Sequence, residues 1–495
     1  HMTAEVAVVH NGIIENFQEL REYLQKRGIQ HSTDTDTETI ALLTQAMIED
    51  GHEPIEAAKK TIDKLTGAFA LCFLFEGHND LMVIARKGSP LAIGIGKGEI
   101  FVGSDAIALS PMTNKISYLE EGDFAVLTRA NVQVWDHSGA LVEREIKTIN
   151  TQNTQVQKDG YQHFMEKEIH EQPRVISLAL EYYFDPNTGK ITLPDGIDIN
   201  FNDFEQIYLV ACGTAFYACH VAKYWFEDIA RIPVEIDIAS EFRYREPPIK
   251  KNTLAIFVSQ SGETADTLAA LRYCTGKAKK IVSLTNVSES SISRESDCSL
   301  PILAGIEIGV ASTKAFTCQL SVLFALAIKA SSDLEKISNE EQMNIYSEAI
   351  KIPSLINQIL DNKDSFSALA TKLSEARDVL FLGRGLLYPL ALEGALKLKE
   401  ISYIHAEAYA SGELKHGPIA LIDKSVPVII LTPKDKLFDK NISNIQEVAA
   451  RGGKVVLISD KLGIDTIDEK FWNIIELPKT IDTLNPLLYA IAVQL

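Results

Sequence analysis

Short apolar runs that end in a polar turn and then pass into a helix-like segment dominate the chain from about residue 200 onwards. The clearest run covers residues 254–258, and the turn SQSGET at 259–264 comes directly after it. Buried strands of parallel sheets have this continuous apolar character, and the helices between them cover the faces of the sheet. The pattern therefore predicts an α/β fold with parallel strands in this part of the chain.

The same landmarks occur twice at a nearly constant spacing. The matched positions are Gly213 with Gly385 (385 − 213 = 172), Ser259 with Thr432 (432 − 259 = 173) and Lys280 with Lys454 (454 − 280 = 174). A repeat of this length indicates duplicated βαβ domains, each a parallel sheet flanked by helices. The copies differ in the turn, because the second has TPKDKL where the first has SQSGET. We therefore expect only the first copy to keep a hydroxyl-rich site.

The chain before about residue 150 has a different texture, with short β-rich runs and few long helices. The β-rich runs are 6–9, 69–75, 81–86, 100–103, 124–128 and 132–135, and the helix-like stretches are 14–27 and 38–49. This mixture predicts an α+β unit. A polar run at 148–158 predicts a linker, and residues 163–174 predict a helix that docks onto the part of the chain that follows. The expected domains are 1–150, a linker with docking helix at 151–197, and the two copies at 198–338 and 370–495.

Composition and charge narrow the function classes. With 48 basic and 67 acidic residues among 495, the net charge is −19, so nucleic acid and anionic membranes are not expected as partners. The six cysteines are scattered without Cys-x-x-Cys spacing, which predicts a reduced, cytoplasmic chain without a zinc site. We expect no metal and no other cofactor. We also expect no secretory leader, and the apolar run at 321–330 is too short to span a bilayer.

The turn at 259–264 is the first candidate site. Ser259, Gln260, Ser261 and Thr264 surround a glycine where a strand meets the start of a helix. Backbone N–H groups and the helix dipole point at such a turn, which favours a phosphorylated small molecule. An ordinary helix N-cap is the alternative, because Ser and Thr are favoured there whatever the function.

Further candidates lie in the second copy and in the first unit. Lys397 and Glu400 share one face of a helix and are a candidate proton-transfer pair, or else an exposed ion pair. His416 lies in a turn, where it could act as an acid or base or be incidental. Asn11-Gly12 follows an apolar strand and resembles a common turn, and Asp36 could simply cap a helix.

Five motifs occur in order along the chain: HNGIIEN at 10–16, ARKGSP at 85–90, SQSGET at 259–264, EIGVASTK at 307–314 and ELKHGP at 413–418. With them the chain closely resembles the glutamine:fructose-6-phosphate aminotransferases (isomerising), also called glucosamine-6-phosphate synthases, over essentially its whole length. The resemblance implies two tandem sugar isomerase (SIS) domains preceded by a partial N-terminal nucleophile glutaminase domain. It also implies a homodimer, with fructose 6-phosphate, glucosamine 6-phosphate and glutamine as small-molecule partners.

The resemblance implies a role for each matching residue. Asn11 and Gly12 would form an oxyanion hole, and Asp36 would hold the α-amino group of glutamine. The sugar phosphate would be bound by Ser259, Gln260, Ser261 and Thr264, in a site lined by Thr214, Val310 and Ser312. Glu400 would move a proton between C1 and C2 with Lys397 beside it, and His416 of a second subunit would open the sugar ring.

The chain departs from the family pattern in three ways. The N-terminal cysteine segment and the C-terminal tail with its Schiff-base lysine do not appear, and Ala215 stands where many relatives have Ser. We therefore expect phosphosugar binding, no glutaminase activity, little synthase activity and a poorly covered first unit. Two alternatives share the sugar site: a non-catalytic phosphosugar-sensing SIS module, and an amino-sugar phosphate isomerase or deglycase. Residues 1–150 argue against both.

Overall fold

The computed structural model describes residues 1–104, 106–109, 111–148 and 158–495. The chain divides into two compact units, His1–Gln157 and Lys158–Leu495. The linker predicted at 148–158 lies almost wholly outside the described residues.

Unit 1 is an α+β unit, as the sequence predicts. Its described strands are β1 Val6–Ile14, β2 Gly67–Phe75, β3 Met82–Lys87, β4 Ala92–Ile95, β5 Ile100–Gly103, β6 Lys115–Tyr118, β7 Phe124–Leu127, β8 Val132–Trp135, β9 Leu141–Val142 and β10 Ile146–Thr148; its described helices are α1 Phe17–Lys26, α2 Asp36–Glu49, α3 Pro54–Ile62 and α4 Ala106–Leu109. The strands form two antiparallel sheets in the orders β1-β2-β3-β7-β8-β9 and β10-β6-β4-β5.

Strand β1 is longer than the sequence suggests. It was expected to end at residue 9 and to give way to a helix from residue 14. In the structure every residue from Val6 to Ile14 pairs with β2, so the helix begins only at Phe17. The expectation was wrong because cross-strand pairing with residues far along the chain outweighs the local helical pattern.

The expectation of a poorly covered first unit holds only for one face of β1. Ile14, Ile40, Leu43 and Phe73 are fully buried in the core shared by the larger sheet and its helices. On the opposite face of β1, however, Val9 is 69% exposed and Ile13 is 66% exposed. Successive side chains of a strand point to opposite faces, so one edge strand carries both environments.

Unit 2 alternates strands and helices. Its strands are β11 Gln206–Ala211, β12 Val234–Ile238, β13 Thr253–Ser259, β14 Lys280–Thr285, β15 Cys298–Pro301, β16 Asp378–Gly383, β17 His405–Ala410, β18 Pro427–Leu431, β19 Lys454–Asp460 and β20 Asn473–Leu477. Its α-helices are α5 Phe164–Tyr183, α6 Gly213–Trp225, α7 Ala239–Arg245, α8 Ala265–Cys274, α9 Ser291–Glu295, α10 Lys314–Asp333, α11 Asn339–Ala349, α12 Ile352–Asp361, α13 Lys363–Leu373, α14 Tyr388–Ser402, α15 Phe438–Ala450, α16 Lys461–Thr466 and α17 Asn485–Gln494.

The two sheets of unit 2 have the same topology. Their strand orders are β12-β11-β13-β14-β15 and β17-β16-β18-β19-β20, and all pairings are parallel. Each strand of the first sheet thus has a counterpart in the second, in the same order along the chain. The predicted α/β duplication is confirmed.

Helices α5 and α10 form the interior of unit 2. The predicted docking helix, α5, extends to Tyr183 and packs against α10 and α12. Helix α10 has 20 residues and is long and apolar enough to cross a membrane, so the expectation that this run is too short was wrong. Residues flanking the predicted run join the same helix. Of its most apolar window, 89% is buried inside the protein, as in the core helix of a globular fold.

Helices α6 and α14 place each copy beside the other. Helix α6 follows the first strand of the first sheet, and α14 follows the first strand of the second sheet. The two helices pack directly against one another, as do α10 and α17. Each copy therefore presents a helix to the carboxyl edge of the other copy's sheet, where ligands of open α/β sheets bind.

Candidate active site

A cavity of about 360 Å³ lies at the carboxyl edge of the first parallel sheet of unit 2. Turns after β11 and β13 form one wall, and helix α14 of the second copy forms another. The lining includes Lys397, Glu400 and all seven predicted sugar-phosphate residues. These seven are Thr214, Ser259, Gln260, Ser261, Thr264, Val310 and Ser312. The structure thus brings together residues that lie up to 186 positions apart (400 − 214 = 186).

The SQSGET turn is held by its own hydroxyls. The hydroxyls of Ser259 and Thr264 are 3.0 Å apart, and the Gly262 N–H donates to Ser259 Oγ at 3.0 Å. Thr264 occupies the N-cap position of α8, but its side chain makes no capping bond. The N-cap alternative therefore does not explain this threonine, whose hydroxyl faces Ser259 and the cavity instead.

The loop between β15 and α10 is anchored by two glutamates. The buried Glu168 on α5 accepts hydrogen bonds from the N–H groups of Ile308 and Gly309. Glu307 accepts the Ser312 hydroxyl at 2.9 Å and the Thr313 N–H at 2.9 Å. These contacts fix the loop that carries Val310, whose side chain is 95% exposed. An exposed valine at the rim of a polar cavity gives a ligand an apolar wall.

Lys397 and Glu400 line the cavity on its α14 side. Lys397 Nζ lies 2.9 Å from Glu400 Oε2, and the lysine side chain is only 2% exposed. Glu400 keeps 32% of its side chain exposed. The alternative of a solvent-exposed surface pair therefore does not hold, because the lysine is buried and the carboxylate borders the cavity.

Glu393 joins this group and was missed in the sequence. It is 0% exposed; Thr214 Oγ1 donates to its Oε1 at 3.2 Å, and Lys397 Nζ lies 3.6 Å from the same atom. Burial raises the pKa of the Glu393 carboxyl to about 8, and the nearby Lys397 opposes the shift. Spacings of four and seven residues put Glu393, Lys397 and Glu400 on one helix face, which was the available signal.

Two other predicted positions behave differently. His416 ends a 3-10 segment, is exposed, and does not line the cavity within this chain. Its expected place in a second subunit's site stays a prediction. Ala215 does line the cavity, so a methyl group stands where a serine would offer a hydroxyl.

In unit 1, Asn11-Gly12 does not form a turn but lies inside β1, opposite Ala70 and Phe69. Gly12 has φ +141, and a Cβ there would lie 2.1 Å from the carbonyl oxygen of Ala68. Only glycine fits this position, because both the backbone conformation and the space exclude a side chain.

Asp36 does not cap α2, contrary to the helix-cap alternative. Thr35 is the N-cap and accepts from the Thr37 N–H, whereas Asp36 Oδ2 accepts from the Ile14 N–H at 2.8 Å. Asp36 also lies 3.7 Å from the buried ring of His10, whose pKa is lowered by burial and raised less strongly by this carboxylate. The predicted glutamine-binding residue thus stands beside the strand that carries Asn11 and Gly12.

Two family models match this chain. The family model described as "SIS domain" matches residues 201–329 and 372–495, and the one described as "Glutamine amidotransferase domain" matches residues 1–111. Together they define an α/β protein in which a glutamine amidotransferase domain is followed along the chain by two SIS domains.

Similar proteins identify the family to which this chain belongs within that class. Proteins named glutamine--fructose-6-phosphate aminotransferase [isomerizing] from Brucella abortus and Zymomonas mobilis are 53% and 51% identical over 495 residues, covering 100% of this chain and 81% of each relative. This chain belongs to the glutamine--fructose-6-phosphate aminotransferase (isomerising) family, a family of transferases.

Solved structures agree with this assignment. The C-terminal domain of glucosamine-fructose-6-phosphate aminotransferase from Francisella tularensis matches with a TM-score of 0.66 and 42% identity, covering 68% of this chain and 96% of that chain. A glucosamine-6-phosphate deaminase from Thermotoga maritima matches with a TM-score of 0.51 and 22% identity, covering 67% and 92%. The second likeness shows a shared fold.

Proposed function

We propose that this chain binds fructose 6-phosphate in the 360 Å³ cavity and supplies Glu400 for the proton transfer of its family's reaction, which yields glucosamine 6-phosphate with nitrogen from glutamine. One observation carries the proposal. The same cavity is lined by a hydroxyl-rich turn at a helix start and by the buried Lys397 with its partner Glu400. A phosphate group and a reacting carbon of one small sugar can therefore be held at once.

The phosphate end is the SQSGET turn. Phosphate oxygens are strong acceptors, and hydroxyls with the N–H groups of the helix start are suitable donors. Ser261 and Thr264 offer hydroxyls, and α8 begins directly after Thr264. The residues of this turn that line the cavity are uncharged, so they recognise the phosphate by hydrogen bonds and helix dipole in spite of the negative net charge of the chain.

The chemical end is Glu400. Ammonia and the C2 carbonyl of the ketose condense to a C2 imine with loss of water. The Glu400 carboxylate then removes a proton from C1 and returns it to C2, while the imine nitrogen takes up one proton to become the amine and O1 gives up one as C1 becomes the aldehyde, so the protons balance. Lys397 holds the carboxylate from the side at 2.9 Å, so it fixes the position of the base.

The nitrogen end belongs to unit 1. Hydrolysis of the glutamine side-chain amide yields glutamate and ammonia through a tetrahedral oxyanion, which needs hydrogen-bond donors. We propose Asn11 and Gly12 as these donors and Asp36 as the partner of the glutamine α-ammonium. Asp36 is suited to this role because one oxygen is held by the Ile14 N–H while the carboxylate stays partly exposed.

The proposal extends to domain limits, assembly and location. Residues 1–150 would form the glutamine unit, 151–197 the linker with its docking helix, and 198–338 and 370–495 the SIS domains. We propose a homodimer in which His416 reaches the partner's cavity, since it is exposed and away from its own. Light scattering of the purified chain tests the dimer. Six unpaired cysteines accord with work in the reducing cytoplasm.

Calorimetric titration of the full chain tests the sugar site. Fructose 6-phosphate should bind and fructose should not, because the phosphate supplies the main anchor. A Ser261→Ala, Thr264→Val double variant should weaken binding at least about tenfold. Ser367→Ala, which removes an exposed hydroxyl from α13, serves as the control. Equal affinity of the double variant and the parent would rule the site out.

A further inference from the structure

A second cavity, of about 480 Å³, lies at the carboxyl edge of the second sheet of unit 2. The turns after β16 and β18 form one wall, and the end of α6 from the first copy forms the other. This is the construction of the sugar cavity with the roles of the two copies exchanged. The internal duplication has therefore produced two cavities, of which the proposed function uses one.

Several positions of the two linings correspond. The equivalent pairs are Gly213 with Gly385, Thr214 with Leu386 and Leu396 with Tyr224, each 172 apart, and Thr264 with Leu437 and Val310 with Thr483, each 173 apart. Even the backbone matches, since Gly213 has φ +56 and Gly385 has φ +58. The second cavity is thus the counterpart of the first and not an incidental gap.

The second cavity cannot hold a phosphate in the same way. Its turn has already filled the anion positions with carboxylates of the chain. Asp460 Oδ2 accepts from the Lys434 N–H at 2.6 Å, and Asp435 Oδ1 accepts from the Leu437 N–H at 2.8 Å. Thr214 and Thr264 are replaced by leucines, so two hydroxyl donors of the sugar site are missing as well.

The charges of the lining favour a cation. Two basic residues, Arg231 and Lys436, face four acidic ones, so the formal sum is 2 − 4 = −2. Both basic groups lie near Asp228, at 3.6 and 3.7 Å, and both are mostly exposed. Across residues 158–495, all of which are described, no basic group lies within 4.0 Å of Asp435 or Asp482, the other two acidic residues beside Glu227.

Asp435 and Asp482 lie in surroundings that disfavour the charged form of their carboxyl groups. Burial raises the pKa of both groups, and the charge of Asp482 raises that of Asp435 further; Lys436 lowers both pKa values and Lys479 lowers that of Asp482, but burial outweighs these charges. A cation placed beside them would relieve both effects. Next to these acids the wall is apolar and aromatic, with Tyr224, Leu386 and Leu387.

We propose that this second cavity binds a small organic ammonium compound. The ammonium group lies beside Asp435 and Asp482, and the body of the ligand packs on the aromatic and aliphatic wall. Amino sugars and arylalkylamines share this chemistry. The cavity volume of about 480 Å³ suits molecules of either size.

Ligand-observed NMR on the full chain tests the proposal with matched pairs of probes. The pairs are 2-phenylethylamine with 2-phenylethanol, and glucosamine with glucose. Amines should bind with a dissociation constant of about 1 mM or tighter, and the alcohols should not. Preference for one amine over the other identifies the source, an aromatic amine or an amino sugar.

Variants locate the binding. Asp482→Asn removes an exposed carboxylate and should weaken amine binding about tenfold; adding Asp435→Asn, which keeps an oxygen for the Leu437 N–H, should abolish it. Asp423→Asn removes a charge from the same copy outside the cavity and should change nothing.

Three results would overturn the proposal. They are equal binding of amines and alcohols, displacement of the amine by inorganic phosphate, and absence of amine binding to a chain that still binds fructose 6-phosphate. The Ser261→Ala, Thr264→Val variant separates the two cavities, because amine binding to the second cavity should survive it.

Discussion

Thr214 and Glu393 join the two copies of unit 2 through a partly buried hydrogen bond of 3.2 Å from the threonine hydroxyl to Glu393 Oε1. Thr214 belongs to the turn after β11, and Glu393 lies on α14. Lys397 contacts the same carboxylate from the other side at 3.6 Å. This contact therefore connects the turn after β11 to helix α14, and both of these elements line the 360 Å³ cavity.

Removing the Thr214 hydroxyl should cost stability and binding together. Thr214→Val keeps the shape but leaves Glu393 Oε1 without its neutral donor, so we expect a loss of about 1–2 kcal/mol in the free energy of unfolding. Urea unfolding measures this loss, and calorimetry should show weaker fructose 6-phosphate binding. Thr371→Val removes an exposed hydroxyl bonded within its own helix and should cost far less. Equal losses in the two variants would show that the contact between the copies contributes no more to the free energy of unfolding than an exposed hydrogen bond does.

Glu393 should make stability depend on pH. Its pKa is about 8 in the folded chain against an ordinary value of 4.5, because burial disfavours the charged form. Between these pH values the folded state binds more protons than the unfolded state, so this group's contribution falls as pH rises from about 4.5 to 8 and then levels off.

Glu393→Gln removes that dependence. Relative to the parent, the free energy of unfolding of the variant should rise by about 2 kcal/mol between pH 5.5 and pH 8.5. Burial of the carboxyl alone would predict a larger rise, but the charge of Lys397 offsets part of it. Unfolding in urea at the two pH values measures the difference. Glu340→Gln, an exposed change on α11, should run parallel to the parent. If the Glu393→Gln and parent curves are also parallel, the buried carboxyl is not protonated near neutral pH.

Much of unit 2 could be predicted because its signals are local and repeated. Buried parallel strands are continuous apolar runs, and two copies at one spacing confirm each other. The SQSGET turn could be found for the same reason, since four hydrogen-bonding side chains surround one glycine. Its counterpart TPKDKL marked the difference between the copies, but the second cavity could not be foreseen because its other wall comes from α6.

The missed features depend on contacts between distant parts of the chain. Glu393 shares a helix face with Lys397 and Glu400, but only the packing of α14 on α6 decides that this face is buried. Asn11-Gly12 has the sequence of a turn, yet pairing with β2, more than 50 residues away, keeps it extended. Strands β4 and β6, of four residues each, were missed, although the equally short β5, β7 and β8 were predicted.

Glu168 should act on sugar binding through the loop at 307–314. Glu168→Ala frees the N–H groups of Ile308 and Gly309, so the loop that carries Val310 and Ser312 loses its anchor on α5. We expect fructose 6-phosphate binding to weaken about fivefold to tenfold, as measured by calorimetry. Glu181→Ala changes an exposed glutamate of the same helix and should leave affinity unchanged. Unaltered affinity in Glu168→Ala would mean that the loop is held in place without this carboxylate.

Gly262 and Gly276 separate the cost of backbone conformation from the cost of space. Both have positive φ, +68 and +73, but a Cβ at Gly262 would lie 1.9 Å from Ser290 Oγ, whereas nothing lies within 4 Å of one at Gly276. Gly276→Ala should therefore cost about 1 kcal/mol from the left-handed backbone alone. Gly262→Ala should cost at least about 2 kcal/mol, because Ser290 must also move. Urea unfolding compares the two, and calorimetry should show that Gly262→Ala alone weakens fructose 6-phosphate binding. Similar losses of stability and binding in both variants would indicate that the Ser290 side chain moves aside at little energetic cost. The tight packing at Gly262 would then contribute little to stability or binding.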